Sequence, residues 1–362
     1  MVKKTKEINV GGVKLGAGNK VVLQSMTNVP TSDADRVIAQ INALADVGAS
    51  LVRVAVPCMD SASALKQIVK RLRTPICADI HFDYKLAIAS IKNGASKIRI
   101  NPGNIGSESE VKKVLEVARE YNVPIRVGVN SGSLDKEIEK KYASDIASGK
   151  TYVALAESAL KHIALLERDG FYNIVASVKS SCVSTTIDAN IYLASKVNYP
   201  LHIGVTEAGT YNTSVIKSSV AIGTLLKMGI GDTIRVSITG EPTRELAVAK
   251  SIVRSLGLSA LGVSENYVEV VSCPTCARVS VDIESIANEV ERLVAGLVVS
   301  KKHKVAIMGC VVNGPGEAKD ASLGIACGDS ESVIFKNGKP LKKVANENLL
   351  KAFLDLLKTE IK

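Results

Sequence analysis

Cys273 and Cys276 form a Cys-x2-Cys pair in VSCPTCARVSVD, and a third cysteine, Cys310, stands in MGCVVNGPGEA. Three soft thiolates from two separated loops suit zinc or an iron–sulfur cluster. A fourth zinc ligand could be Cys327, but the run GIACG around it reads as a strand holding a small buried hydrophobe. Glu317 is the better fourth partner. It lies past Cys310 on a Gly-Pro-Gly loop whose glycines let the backbone wrap closely around a bound group. A carboxylate binds iron less tightly than a thiolate and so could leave one iron open to substrate. The remaining cysteines, Cys58, Cys77 and Cys182, read as packing residues, and the expected reducing compartment argues against disulfides.

A second set of residues suits anion chemistry. Arg53, Arg99, Arg126, Lys179 and Arg235 fall in five different short apolar runs. One arginine on a strand is as readily a structural ion pair as a ligand. Five brought to one place repel unless an anion sits among them. Guanidinium forks match phosphate bidentately, so a phosphate or diphosphate is the natural guest. Asp79 and His81 in ADIHFD, Asn130 in RVGVN and Ser237 in RVSITG lie in the same places. Glu207 in VTEAGT is either a counter-ion to the arginines or an acid–base group, and its position at a strand end gives acid–base work at least equal weight.

These residues need elements to carry them. Eight short β-rich runs begin at Val21, Leu51, Pro75, Lys97, Pro124, Tyr172, Leu201 and Thr233, with helical stretches between them. Repeated strand–helix alternation predicts a parallel sheet closing as a (β/α)8 TIM barrel, with its chemistry at the C-terminal strand ends. Ile8–Leu15, with Gly11-Gly12, predicts a hairpin ahead of the barrel, and the long fifth connection predicts an extra helix near residues 133–146. The barrel is assigned to residues 1–257 and a smaller α+β iron–sulfur domain to 258–362, its first strand beginning past Val263. A helix over 242–256, with Pro242 near its start and Gly257 after its end, reads as a spacer between the two.

Composition agrees. Apolar residues make up 46% of 362, aromatics only 4%, and Trp is absent, so the core must be built from Val, Ile, Leu and Ala. Gly149-Lys150-Thr151 lacks the earlier glycine of a P-loop, and neither HExxH nor a radical-type Cys-x3-Cys-x2-Cys occurs. No secretory signal and no membrane-length apolar run is present, so a soluble cytoplasmic protein is expected. The formal net charge of +10 raises the possibility of RNA, but four Phe and no Trp leave few stacking surfaces. No nucleic-acid or membrane partner is expected. The rival to an iron–sulfur enzyme is a barrel binding module or hydrolase with a structural zinc domain.

The two cysteine motifs resemble the cluster-binding half of the 4-hydroxy-3-methylbut-2-enyl diphosphate synthase family. LQSMTN, VRVAVP, ADIHFD, IRINPGN, RVGVNSGSL, SVKSS, HIGVTEAG and DTIRVSITG resemble its barrel signatures in the same order, so the likeness runs from about Gln24 to Glu317. Without the plant-type insertion, the chain resembles the compact bacterial form. The resemblance implies reductive opening of a cyclic diphosphate and loss of a hydroxyl. It implies a [4Fe–4S] cluster on Cys273, Cys276, Cys310 and Glu317, and a diphosphate clamp of Arg53, His81, Arg99, Arg126, Lys179, Arg235 and Ser237. Acid–base work falls on Glu207 and Asp79, and electrons would come from ferredoxin or flavodoxin. It also implies a head-to-tail homodimer in which the cluster domain of one chain serves the barrel of the other. SVKSSCVSTT departs from the family pattern around Lys179.

Overall fold

A computed structural model of the chain describes residues 4–101, 103–134, 136–295, 297–310 and 318–361. The chain divides into two compact units, Met1–Val263 and Ser264–Lys362. In the first, β1 (Ile8–Val10) and β2 (Val13–Leu15) form the expected antiparallel hairpin. The barrel strands are β3 (Val21–Met26), β4 (Leu51–Ala55), β5 (Ile76–Asp79), β6 (Lys97–Ile100), β7 (Ile125–Asn130), β8 (Ile174–Lys179), β9 (His202–Ile203) and β10 (Thr233–Ile234). They pair in the order β8-β7-β6-β5-β4-β3-β10-β9, and a bridge between Ala176 and Leu201 closes the ring. Between and after the strands run α1 (Ala34–Asp46), α2 (Met59–Lys70), α3 (Tyr84–Lys92), α4 (Glu108–Glu120), α5 (Lys136–Lys141), α6 (Ala143–Ala147), α7 (Thr151–Arg168), α8 (Val183–Lys196), α9 (Tyr211–Lys227) and α10 (Pro242–Ser255). The extra helix of the long connection is thus two short ones, α5 and α6.

Period-two alternation explains the layering. Val52, Val54, Ala78, Ile98, Ile100, Val127, Val129 and Val178 belong to the core between sheet and helices. Their alternates, Arg53, Asp79, Lys97, Arg99, Arg126 and Lys179, face the barrel axis. Barrel interiors are usually filled with branched apolar side chains. Here an apolar layer is confined to the floor, where Ile8, Val10 and Leu15 of the hairpin pack on Val22, Leu51, Cys77 and Val175.

The helix over 242–255 is no spacer. It packs on β3, α9 and α1 as the helix that completes the barrel. The two residues Ala260–Leu261 (β11) then pair in parallel with Val21–Val22, which keeps 258–263 in the first unit and puts its end at Val263 rather than 257.

The second unit has the sheet order β12-β13-β14-β15-β16, formed by Val268–Ser272, His303–Met308, Leu323–Ala326, Glu331–Lys336 and Lys339–Ala345. The first three strands are parallel and the last two antiparallel, an α+β arrangement that includes one strand, β16, not anticipated from sequence. The helices α11 (Ile283–Val294) and α12 (Asn346–Glu360) bury Ile286, Val290, Leu349, Phe353 and Leu357 with Val305, Ile307, Leu323 and Ile325 of the sheet.

Candidate active site

The C-terminal strand ends and the loops following them line a cavity of about 180 Å³ with Arg53, Asp79, His81, Arg99, Arg126, Asn130, Lys179, Arg235 and Ser237. Nine of the ten barrel residues singled out in the sequence therefore meet at one mouth. Glu207 does not line it: this residue is exposed on the loop after β9, with a left-handed backbone (φ 49°). It has no hydrogen-bond or ion-pair partner among the described residues.

Two carboxylates hold the cations apart. Asp79 accepts from Arg99 Nη1 at 3.1 Å, and its other oxygen lies 3.8 Å from Arg53 Nε and 3.5 Å from His81 Nε2. Burial opposes the charge on Asp79, but Arg53, His81, Arg99 and Arg126 hold its carboxyl far below the usual carboxylate range. Such a group stays ionised and serves as a counter-ion rather than a proton carrier. Arg99 Nη1 also donates to His81 Nε2 at 2.7 Å. A Cβ on Gly128 would come within 2.8 Å of Arg99 Nε, so the missing side chain there is what lets the guanidinium cross.

The second carboxylate, Glu245 on α10, was not picked out from the sequence. It takes Arg235 bidentately, at 3.1 Å from Nε and 3.0 Å from Nη2, and accepts from Ser25 Oγ at 2.9 Å. Its signal was an acid on the apolar face of a helix, beside Leu246, Val248 and Ala249. We expect Glu245→Gln to cost about 2 kcal/mol of stability, the value of hydrogen bonds to a charged group, because the amide keeps the shape but not the charge. Chemical unfolding measures this, and a variant as stable as the parent would show that Arg235 does not depend on that charge.

Below the mouth lie Lys97, His202 and Thr233, also overlooked although alternation in KIRI, LHIGV and TIRVSI places them on the inner face. Lys97 Nζ donates to Gln24 Oε1 at 3.3 Å. Burial, with neighbouring cations, brings Lys97 down to about 8, Arg126 to about 9 and Arg53 to about 10. Arg126, only 2% exposed, has Nε and Nη1 buried without a hydrogen-bond partner. Six enclosed basic side chains thus face two carboxylates. Unsatisfied buried donors are costly, and an anion entering the cavity would satisfy them.

In the second unit, Cys273, Cys310 and Cys327 follow the C-terminal ends of β12, β13 and β14, three adjacent parallel strands. Cys273 Sγ accepts from Gly309 N at 3.1 Å. Burial, with Cys273 and Cys310 close by, pushes the Cys327 thiol up. Cys327 is buried, as its strand pattern suggested, while Cys276 is exposed. Glu317 lies outside the described residues. Among the described residues no three His, Cys, Asp or Glu side chains converge as a metal site. The donor set nonetheless fits a thiophilic group, with soft sulfurs at neighbouring strand ends and a backbone N–H already directed at one of them. Cys77 is buried as expected, but Cys58 and Cys182 are exposed, so packing does not explain them. Each sits at a helix N-cap, and hydrogen bonds with Ser184 and Thr185 lower the Cys182 thiol to about 7.

Fold and site define a (β/α)8-barrel protein with an anion-binding mouth, joined to a cysteine-bearing α+β unit. The model of the GcpE TIM-barrel domain matches residues 5–250, and that of the GcpE protein C-terminal domain matches 269–359. The chain belongs to the GcpE family. It is 53% identical over 362 residues to the 4-hydroxy-3-methylbut-2-en-1-yl diphosphate synthase (flavodoxin) of Caldanaerobacter subterraneus subsp. tengcongensis, covering 100% of this chain and 99% of that protein. It is 51% identical to the protein of the same name from Caldicellulosiruptor saccharolyticus, over 96% of each. The crystal structure of dihydropteroate synthase from Stenotrophomonas maltophilia superposes with a TM-score of 0.50 at 14% identity, over 70% of this chain and 97% of that one, which is a likeness of fold alone. No helix among the described residues is long and apolar enough to cross a membrane.

Proposed function

We propose that this chain catalyses the reductive ring opening and dehydroxylation of 2-C-methyl-D-erythritol 2,4-cyclodiphosphate to 4-hydroxy-3-methylbut-2-enyl diphosphate, a step of non-mevalonate isoprenoid synthesis. The observation that carries it is the enclosed cationic excess of the barrel mouth, in a chain about half identical over its full length to synthases of that name. The reaction takes up two electrons and two protons, breaks the ring C–O bond and a C–OH bond, and releases water.

Arg53, Arg99, Arg126, Lys179 and Arg235 bind the diphosphate as a clamp, with Asn130, Ser237 and His81 as further hydrogen-bonding groups. Asp79 and Glu245 keep the arginines in place while the anion is absent. Cys273, Cys276, Cys310 and Glu317 would hold a [4Fe–4S] cluster, which would supply the two electrons, drawn from flavodoxin or ferredoxin. Glu207, the exposed acid near the strand ends, moves a proton to or from the departing oxygen. Asp79, held as the ion, orients rather than titrates. A homodimer belongs to the same proposal.

The test is anaerobic. The purified protein should be brown, contain iron and acid-labile sulfide, sediment at about twice the 38.2 kDa chain mass, and turn over the cyclic diphosphate with reduced flavodoxin. A colourless, zinc-loaded protein would overturn the proposal. Glu207→Gln should lower kcat about a hundredfold with KM nearly unchanged, the usual scale for a lost general acid or base. Unchanged kcat would remove Glu207 from the proton path.

A further inference from the structure

His202 lies inside the barrel wall with no exposed surface. Its Nε2 is 3.1 Å from Lys179 Nζ and its Nδ1 is 2.5 Å from Thr233 Oγ1, while Ser177 Oγ donates to its backbone carbonyl at 2.8 Å. The ring is therefore fixed at both nitrogens and at its own backbone. Lys179 also lines the cavity of the mouth. A Cβ on Gly204 would stand 3.1 Å from that Nζ and 2.2 Å from the carbonyl oxygen of Arg235, so the glycine is what leaves the amine its place there.

The charges around this pair come from every neighbouring element. Arg126 on β7, Arg53 on β4, Lys97 on β6 and Arg235 just past β10 are cationic, and the acid among these neighbours is Glu245 on α10. Two further positive charges 3.1 Å apart cannot both persist in that field. Burial first, and then these cations, push both Lys179 and His202 well below their ordinary values. Burial and this field favour the neutral imidazole of His202 and, without an anion, the neutral amine of Lys179. An entering anion reverses the balance for Lys179 but leaves His202 a neutral acceptor. The ammonium has donors only, so Nε2 accepts from it while Nδ1–H donates to Thr233 Oγ1. In the amine state the ring can take the opposite tautomer, with Nε2–H donating to Nζ and Thr233 donating to Nδ1.

We infer that His202 is a positioning residue for anion binding: by exchanging tautomers between Thr233 and Lys179 it lets Lys179 take up a proton as the anion enters the mouth. This rests on the anion-binding reading above and adds a proton to it. The sign follows from linkage. Lys179 binds its proton more tightly in the complex, so affinity is full below the range where the free amine titrates and falls as pH rises through it.

The probe is inorganic pyrophosphate, titrated calorimetrically into the full chain at about pH 7, where Lys97 already carries its proton, in two buffers of different ionisation enthalpy, which gives the protons taken up per site. We expect about one proton in the parent. Uptake should disappear in Lys179→Met and persist in Lys97→Met. His202→Leu should bind about tenfold more weakly, with at least about half of the uptake lost, for want of the acceptor opposite Nζ. His202→Gln, whose amide oxygen can accept from Nζ, should recover most of the affinity. Binding without proton uptake in the parent overturns this inference and leaves the clamp intact. So does uptake that survives in Lys179→Met, or a His202→Leu variant that binds like the parent. Failure of pyrophosphate to bind the parent at all overturns both the inference and the anion-binding mouth.

Discussion

Arg126→Met should melt higher than the parent in phosphate-free buffer and bind diphosphate at least about a hundredfold more weakly. The two effects share one cause. Arg126 is buried with two of its nitrogens unpartnered, and its neighbours are mostly cations. An uncompensated buried charge costs several kcal/mol, and exchanging such groups for apolar ones of similar volume gains about 1–4 kcal/mol. No carboxylate is stranded by the exchange, because Asp79 keeps Arg53 and Arg99, and Glu245 keeps Arg235. Binding loses two charge-assisted hydrogen bonds at about 1.5–3 kcal/mol each. Pyrophosphate should therefore raise the melting temperature of the parent and barely move that of the variant. A lower melting temperature for Arg126→Met without phosphate would mean that the guanidinium stabilises the empty barrel, and the strain argument would fail.

Cys276→Ala should abolish activity and empty the protein of iron while the barrel stays folded. Each unit has its own core, so the loss of a ligand in the second leaves the apolar packing that folds the barrel in place. Cys276 is exposed, and the turn it begins is held by its backbone carbonyl accepting from Val279 N at 3.0 Å, which alanine preserves. Cys58→Ser and Cys182→Ser are the controls, since both thiols are exposed on the barrel unit and should leave iron content and turnover as they were. Iron and sulfide assays alongside circular dichroism read the result. A full complement of iron in Cys276→Ala, or its loss in Cys182→Ser, would refute the ligand assignment.

Most of the barrel was legible because each strand is a short β-branched run and each helix has its own stop. The closing helix was misjudged, since a helix that completes a barrel and one that spaces two domains carry the same amphipathic pattern. Only its burial against β3 and α1 separates them. The mouth was legible wherever a cation interrupted an apolar run, as with Arg53, Arg99 and Arg235. Lys97 and His202 lie in equally short runs, but their role depends on which inner layer they occupy, and that follows from strand register. Glu245 was hidden for a different reason: its partner Arg235 is ten residues away on another element. Glu207 is a different case: it follows a strand end in sequence, but the loop after β9 leaves it outside the cavity lining.

The apolar hairpin under the barrel has a kinetic consequence. With Ile8, Val10 and Leu15 sealing the floor, water cannot screen the enclosed cations from below, and their field emerges chiefly through the opposite opening. A low-dielectric well of this kind focuses potential outward and draws anions in faster than diffusion alone would bring them. Capture of a dilute diphosphate should thus be quickest at low ionic strength and slow steeply as salt is added, with dissociation far less affected. The short hairpin would then govern how often the mouth is filled, although none of its residues touches what enters there.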